Sequence, residues 1–331
     1  MARRALIIGG SGQIGRAVAR RLAEAGWTVT AAQKRPERFP ADVAASTIKL
    51  DREAPGALAH AVSSGFDALI DTVAYDEGHA RQLLEAQGDV GALVVISSGS
   101  VYRDEAGRTL DESRQNGFPQ FPVPITEDQP TVAPGVATYS TRKAALEEAL
   151  LQGTRRPLTI LRPFAIHGEG SPHVREWWFL KRILDGRKRI PLAFAGESRF
   201  HTSATANIAE LVRVALDAPA TRILNAADPE ALTVAQIGEA IARIYGAAPE
   251  FVRLDGPPRR GVGATPWTGA GPMVADMARA RALGYRPVAT YAEAVGAACR
   301  SAESRAKAGE PFEPYIAAMF DYQAEDRFFS S

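Results

Sequence analysis

Three residues near the middle of the chain have the types and spacing for proton chemistry. Tyr139 and Lys143 are four apart in Tyr139-Ser140-Thr141-Arg142-Lys143, so a helix there puts them on one face. A phenol titrates near about 10 and an adjacent ammonium favours the phenolate, so Tyr139 could exchange a proton nearer neutrality. Upstream, Ser97-Ser98-Gly99-Ser100-Val101-Tyr102 offers hydroxyls, and a serine there could hold the substrate oxygen. On its own a Tyr-x-x-x-Lys pair is a common surface feature. Its context gives it weight.

That context is the first turn of the chain. The apolar run Ala5-Leu6-Ile7-Ile8 reads as a buried parallel strand. Ile14, Val18, Leu22 and Ala25 then recur at helical spacing. Between them stand Gly9, Gly12 and Gly15: one for the tight turn, one for backbone approach to a pyrophosphate, one for close helix–strand packing. The helix N-terminus at Gln13 and Ile14 would face phosphates with unpaired N–H groups and partial positive charge. A nicotinamide dinucleotide is the expected cofactor.

Strands and helices alternate downstream. Strands are expected at 27–32, 46–50, 66–73 and 92–96, and helices at 57–63 and 77–87. This predicts an α/β fold, a Rossmann-type doubly wound parallel sheet with ligands at the carboxyl ends of the strands. We expect a dinucleotide-binding domain over 1–165 and a smaller C-terminal substrate-binding part over 166–331. Segment 201–226 should return to the Rossmann domain. The second strand ends in Gln33-Lys34-Arg35 with no carboxylate before Glu37. Lys34 and Arg35 could pair with a 2′-phosphate, so NADP(H) is favoured over NAD(H); the alternative is a solvated basic loop. Asp51, closing the third strand, could meet the adenine edge or cap the next helix.

Composition bounds the rest. The chain has 331 residues, a net charge of +1 and one cysteine, Cys299. No whole-molecule field favours nucleic acid or an anionic membrane, no intramolecular disulfide is possible, and no metal site is expected. No apolar run approaches the roughly 20 residues of a membrane span, and a cytoplasmic location is expected. His167, His173 and His201 read as satisfied polar residues or pocket donors. Trp177 lies in an aromatic helix-like run that could line an apolar pocket or fill a core.

Together the motifs resemble the short-chain dehydrogenase/reductase superfamily, in its extended and atypical epimerase/dehydratase-like branch. The resemblance spans roughly residues 3–300. It rests on Gly9-x-x-Gly12-x-x-Gly15, Ser98 with Val101-Tyr102, Tyr139-x-x-x-Lys143, and Leu161-Arg162-Pro163-Phe164-Ala165-Ile166-His167-Gly168. Arg199-Phe200-His201 and Leu283-Gly284-Tyr285-Arg286-Pro287 fit as well. It implies that Tyr139 is the general acid/base, that Lys143 binds the nicotinamide ribose and lowers the Tyr139 pKa, and that Ser98 orients the reacting oxygen. Ala74 and Pro163 join the expected cofactor contacts, and Ser100, His167, Trp177 and Arg199 the substrate contacts.

The chain departs from the family in places. Gly99-Ser100 replaces the Asp-Glu pair of sugar-nucleotide dehydratases, and Ala165-Ile166-His167-Gly168 replaces Asn-Val-Tyr-Gly. The stretch between Asp71 and Ser97 is short, so a monomer is expected, or a homodimer through another surface such as the aromatic tail at 312–329. An insert rich in Pro, Gly and charge, 103–136, separates Ser98 from Tyr139; it reads as a substrate cover or an inert loop. The expected activity is reversible hydride transfer at a carbonyl/alcohol carbon of a small molecule. The alternatives are an epimerase of a sugar-like substrate, and a non-catalytic dinucleotide sensor or RNA-associated protein.

Overall fold

A computed structural model describes residues 2–330. Its elements, in chain order, begin with β1 (Arg4–Ile8), α1 (Gln13–Glu24), β2 (Thr28–Gln33), β3 (Ser46–Lys49), α2 (Ala57–Val62), β4 (Phe66–Asp71), α3 (Glu77–Ala86) and β5 (Val90–Ile96). Then follow α4 (Ser113–Asn116), α5 (Tyr139–Gly153), β6 (Leu158–Pro163), β7 (Ala165–His167), α6 (Trp177–Leu184), β8 (Arg189–Leu192) and β9 (Thr202–Ala204). The chain continues with α7 (Thr205–Asp217), β10 (Arg222–Ala226), α8 (Val234–Ile244), β11 (Glu250–Arg253), α9 (Ala278–Ala282), α10 (Tyr291–Lys307), α11 (Pro314–Ala317) and α12 (Tyr322–Ser330).

Seven strands form one sheet in the order β10-β6-β5-β4-β1-β2-β3, with every pairing parallel. The fold is the expected Rossmann-type α/β sheet. The period-two alternation of β1 explains why a nearly continuous apolar strand suits it. Ala5 and Ile7 point to the face packed by α1 and α7, with Ile14, Val18 and Leu211. Leu6 and Ile8 point to the opposite face, with Leu58, Leu83 and Leu146.

A third core lies under the C-terminal part. It gathers Trp178, Phe179, Ile190, Leu192, Ile237, Trp267, Val295 and Ile316, around the parallel pair β8–β11 and helices α6, α8 and α10. The aromatic tail closes over it: Phe312 stacks on Trp177 at 4.9 Å, and Arg182 reaches Glu325 at 2.5 Å. Among the described residues no helix is long and apolar enough to cross a membrane.

The 103–136 insert is folded against the body. Phe121 and Ile125 are buried, Ile125 donates to the Val274 carbonyl at 2.7 Å, and Asp276 donates back to Ile125 at 2.8 Å. Asp104 ties the insert internally, accepting from the backbone of Arg108 and Gln120 at 2.8 Å each.

Candidate active site and dinucleotide cleft

The glycine turn sits between β1 and α1. Gly9 has φ +80°, which favours glycine, and a Cβ on Gly15 would lie 2.2 Å from the Gly9 carbonyl oxygen. The turn therefore tolerates no side chain where α1 begins, and it leaves backbone N–H groups of the first helical turn open to a ligand. Beside it a cavity of about 390 Å³ is walled by Gly9, Gly12, Gln33, Lys34, Arg52 and His79, among others. Gln33 is buried at its rim with both amide atoms unpartnered. A nucleoside supplies such partners, so the residues present fit a dinucleotide.

Lys34 and Arg35 differ in their surroundings. Lys34 pairs with Asp51 at 3.0 Å, and the Lys34 hydrogen bond is the chief reason the Asp51 carboxyl falls below its usual value. Asp51 also accepts from the Glu53 backbone at 3.1 Å, so it caps the turn after β3. Arg35 is exposed. Sequence reasoning missed Arg52, whose guanidinium pairs with buried Asp71 at 2.7 Å under the cleft. Its only signal was an arginine directly after a strand end.

The proton-handling residues converge at the end of β5 and the start of α5. Helix α5 starts at Tyr139 because Thr138 and Thr141 cap each other reciprocally, the Thr138 hydroxyl accepting from the Thr141 N–H at 3.2 Å. Ser98 lies where β5 turns; its hydroxyl donates to the Ser100 hydroxyl at 2.9 Å and accepts from the Ser100 backbone at 3.1 Å. Ser98 is close enough to the Tyr139 phenol to act on its titration. The Tyr139 ring, part exposed, sits 5.8 Å from that of Tyr75.

Lys143 departs from expectation. Its ammonium donates to the carbonyls of Ala74 at 2.5 Å and Ile96 at 3.0 Å, and lies 5.8 Å from the centre of the Tyr139 ring. Burial pulls it down to about 8. The Tyr139 phenol is held above its usual value instead of below it. Desolvation pushes it up, the Ser98 hydroxyl draws it back, and Tyr75 and Asp111 add to the rise. The lysine spends its hydrogen bonds on two strand ends, so in this arrangement it anchors the site more than it acidifies the phenol.

The remaining residues fall elsewhere. Pro163 ends β6 beside Ala226 of β10. His167 is buried and bonded through Nε2 to Asp228 at 2.8 Å. Asp228 also takes hydrogen bonds from Thr202, Ala204 and Asn207, and these with His167 overcome burial to bring it down to about 2. Trp177 stacks on Phe312 in the third core. Arg199 donates to the Ala231 carbonyl at 2.7 Å and lines a second cavity of about 440 Å³ with Val123 of the insert, Phe194 and Gly271. Among the described residues no His, Cys, Asp and Glu group could hold a metal.

The fold is a Rossmann-type parallel sheet with a smaller C-terminal part, and the candidate residues gather at its strand ends. The sequence matches the NAD dependent epimerase/dehydratase family over residues 5–227, and the chain belongs to that family. It is 32% identical over 164 residues to 2'-dehydrokanamycin reductase of Streptomyces kanamyceticus, which covers 47% of this chain and 41% of the relative. The match therefore spans about two fifths of that curated relative. Among solved structures, the Bordetella bronchiseptica enzyme WbmG in complex with NAD superposes with a TM-score of 0.69 at 17% identity, over 92% of this chain and 95% of that one. The UDP-glucose 4-epimerase of Thermus thermophilus, also with NAD, gives 0.65 at 20%, over 90% and 98%. At these identities the structures speak for the fold.

Proposed function

We propose that the protein is an NADP(H)-preferring oxidoreductase that interconverts a carbonyl and an alcohol on a small molecule. The observation that carries this reading is the convergence of Ser98, Tyr139 and Lys143 beside a glycine turn that fits a dinucleotide. When bound, the nicotinamide supplies or accepts the hydride. Gly9, Gly12, Gln13, Ile14 and Gly15 would hold its pyrophosphate, Gln33 and Asp51 the adenosine end, and Lys143, Ala74 and Pro163 the nicotinamide end. Ser98 orients the substrate oxygen. Tyr139 gives that oxygen a proton on reduction and takes it back on oxidation.

The reductase likeness, though it spans less than half of each chain, favours net reduction over epimerisation. Arg35, exposed beside the cleft, supports the NADP(H) preference. A net charge of +1 supports a small-molecule partner instead of nucleic acid or membrane, and we take the protein to work in the cytoplasm. A screen of carbonyl and alcohol compounds, read by cofactor absorbance, tests the reading. Turnover of at least one compound, lost in Tyr139→Phe, is expected. Cofactor binding with no compound ever changing its redox state would overturn it in favour of a sensor.

A further inference from the structure

We propose that a cleft between the two parts of the chain binds the phosphate group of a small molecule, at a place apart from Ser98, Tyr139 and Lys143. The cleft holds about 760 Å³. Arg16 of α1 and Arg38, from the turn after β2, line one side of it; α10 and the loop after β7 line the other. The spacing of α10 explains its wall. Tyr291, Val295, Cys299 and Ala302 face the third core. Positions 297, 300, 301, 304, 305 and 308 fall on another face, three and four apart, and line the cleft. Loop 169–172 is pinned to that face: Gly170 donates to the Ser301 hydroxyl at 3.0 Å, and Arg305 donates to the Pro172 carbonyl at 3.2 Å. A Cβ on Gly170 would lie 3.1 Å from the Arg16 guanidinium, so the glycine lets that cation stand beside the loop.

The cations of the cleft outnumber their counterions. Arg16, Arg38, Arg300 and Arg305 stand against Glu169 and Glu310. Those two carboxylates pair loosely, Glu169 with Arg16 at 3.6 Å and Glu310 with Arg305 at 3.9 Å. Among the described residues Arg38 and Arg300 have no carboxylate partner. The Nε of Arg305 is buried without a hydrogen-bond partner. Guanidinium forks beside serine hydroxyls suit a dianionic phosphate, which takes paired, charge-assisted hydrogen bonds. A cleft of this size also has room for the molecule that carries the phosphate. Arg16 donates through Nε to the Ser11 carbonyl at 3.0 Å, and Ser11 lines the cavity beside the glycine turn. One turn of backbone therefore parts this cleft from the dinucleotide cavity. The same phosphate chemistry has two sources: a separate phosphorylated molecule, or the 2′-phosphate of NADP(H).

The test is a calorimetric titration of the full chain with inorganic pyrophosphate at constant ionic strength. Affinity should fall about tenfold in Arg300→Gln and again in Arg38→Gln, the scale of one charge-assisted contact. Both side chains are exposed, so neither change should disturb folding, and melting temperatures check this. Pyrophosphate held by the glycine turn alone would be indifferent to Arg300→Gln. The titration is then repeated with each dinucleotide present. Arginine-dependent binding abolished by NADP(H) but not by NAD(H) assigns the site to the 2′-phosphate. Binding that persists with both assigns it to a separate phosphorylated molecule. Binding abolished by NAD(H) as well would place the probe at the glycine turn and overturn the proposal. So would the absence of pyrophosphate binding, or binding unchanged in both variants. The arginine dependence needs neither turnover nor a bound dinucleotide, so it stands or falls apart from the oxidoreductase reading.

Discussion

Lys143 and Ala74 meet across the site: the ammonium lies 2.5 Å from the Ala74 carbonyl, and a second bond of 3.0 Å reaches Ile96. The lysine thereby joins the ends of β4 and β5 to the face of α5. Since burial brings it down to about 8, its charge fades as pH rises through that value. Its folded pKa lies below the unfolded one, so its contribution to stability rises between about 8 and the ordinary lysine value of 10.5. On the proposed reading this charge helps hold the dinucleotide, and it is lost as pH rises through about 8. Calorimetry should therefore show cofactor affinity falling several-fold from about pH 7 to about pH 9 in the wild type. Lys143→Met should bind weakly at both values.

Tyr139→Phe removes the group proposed to exchange the substrate proton and leaves its ring against Tyr75. We expect a loss of about 10²–10⁴ in kcat with cofactor affinity unchanged. Ser98→Ala should cost less, because in the proposed mechanism Ser98 orients the oxygen without exchanging its proton. Steady-state rates on a substrate found by screening check both. Full turnover by Tyr139→Phe would rule out the assigned acid/base.

Arg35 and Lys34 should give NADP(H) an advantage of at least roughly tenfold over NAD(H), or about 1.4 kcal/mol. The Lys34–Asp51 pair adds a refinement. Asp51→Asn frees Lys34 and should widen the gap. Reversing both basic charges should close it, leaving NAD(H) affinity little changed. Calorimetry with the two cofactors decides, and equal wild-type affinities would contradict the preference.

The outer side of the α3–α5 pair carries Glu77, Arg81, Arg142, Glu148 and Gln152 around a shallow cavity of about 590 Å³. So charged a face is poorly suited to a helical dimer interface. Light scattering should report a monomer, or a dimer that survives Arg81→Glu with Glu148→Lys. Dissociation by that double change would place the interface on this face after all.

Acid should strike at Asp228. Its carboxyl, brought down to about 2 against the opposing effect of burial, contributes stability fully present above the unfolded value near 3.8. That contribution, about 2 kcal/mol, is lost as pH falls from there towards 2. Urea unfolding of Asp228→Asn near pH 6 should show a loss of that order or more, since His167, Thr202 and Ala204 would lose a charged acceptor. Its stability should then vary less with pH below about 4.

How far the sequence is legible follows from where its information is local. β1, the glycine turn and α1 are readable because each rests on spacing within a few residues. β2 to β5 follow from alternation, with ends displaced by one or two residues. Thr233 and Gln236, three residues apart, cap each other at the start of α8. β11 is not readable: Glu250–Arg253 has little apolar pattern, and it is a strand because β8 lies beside it. The aromatic run at 177–179 is ambiguous for a related reason. Its periodicity fits a core or a pocket equally, and only Phe312, more than a hundred residues on, decides that Trp177 is packed. The insert hides its order in the same way. Its contacts with Val274 and Asp276 lie far along the chain, and Asp111 reaches Ser140 across 29 residues.

The interleaving of the two parts bears on how the chain comes apart. β10 pairs with β6 at one edge of the sheet, and α7 packs with α1 on its face, although both follow β7, α6, β8 and β9. No single cut separates a complete sheet from the rest. A fragment ending near residue 165 would lack an edge strand and expose the apolar side of α1. Melting should therefore be one cooperative event, and two protease fragments nicked near residue 186 should stay associated until denaturant parts them.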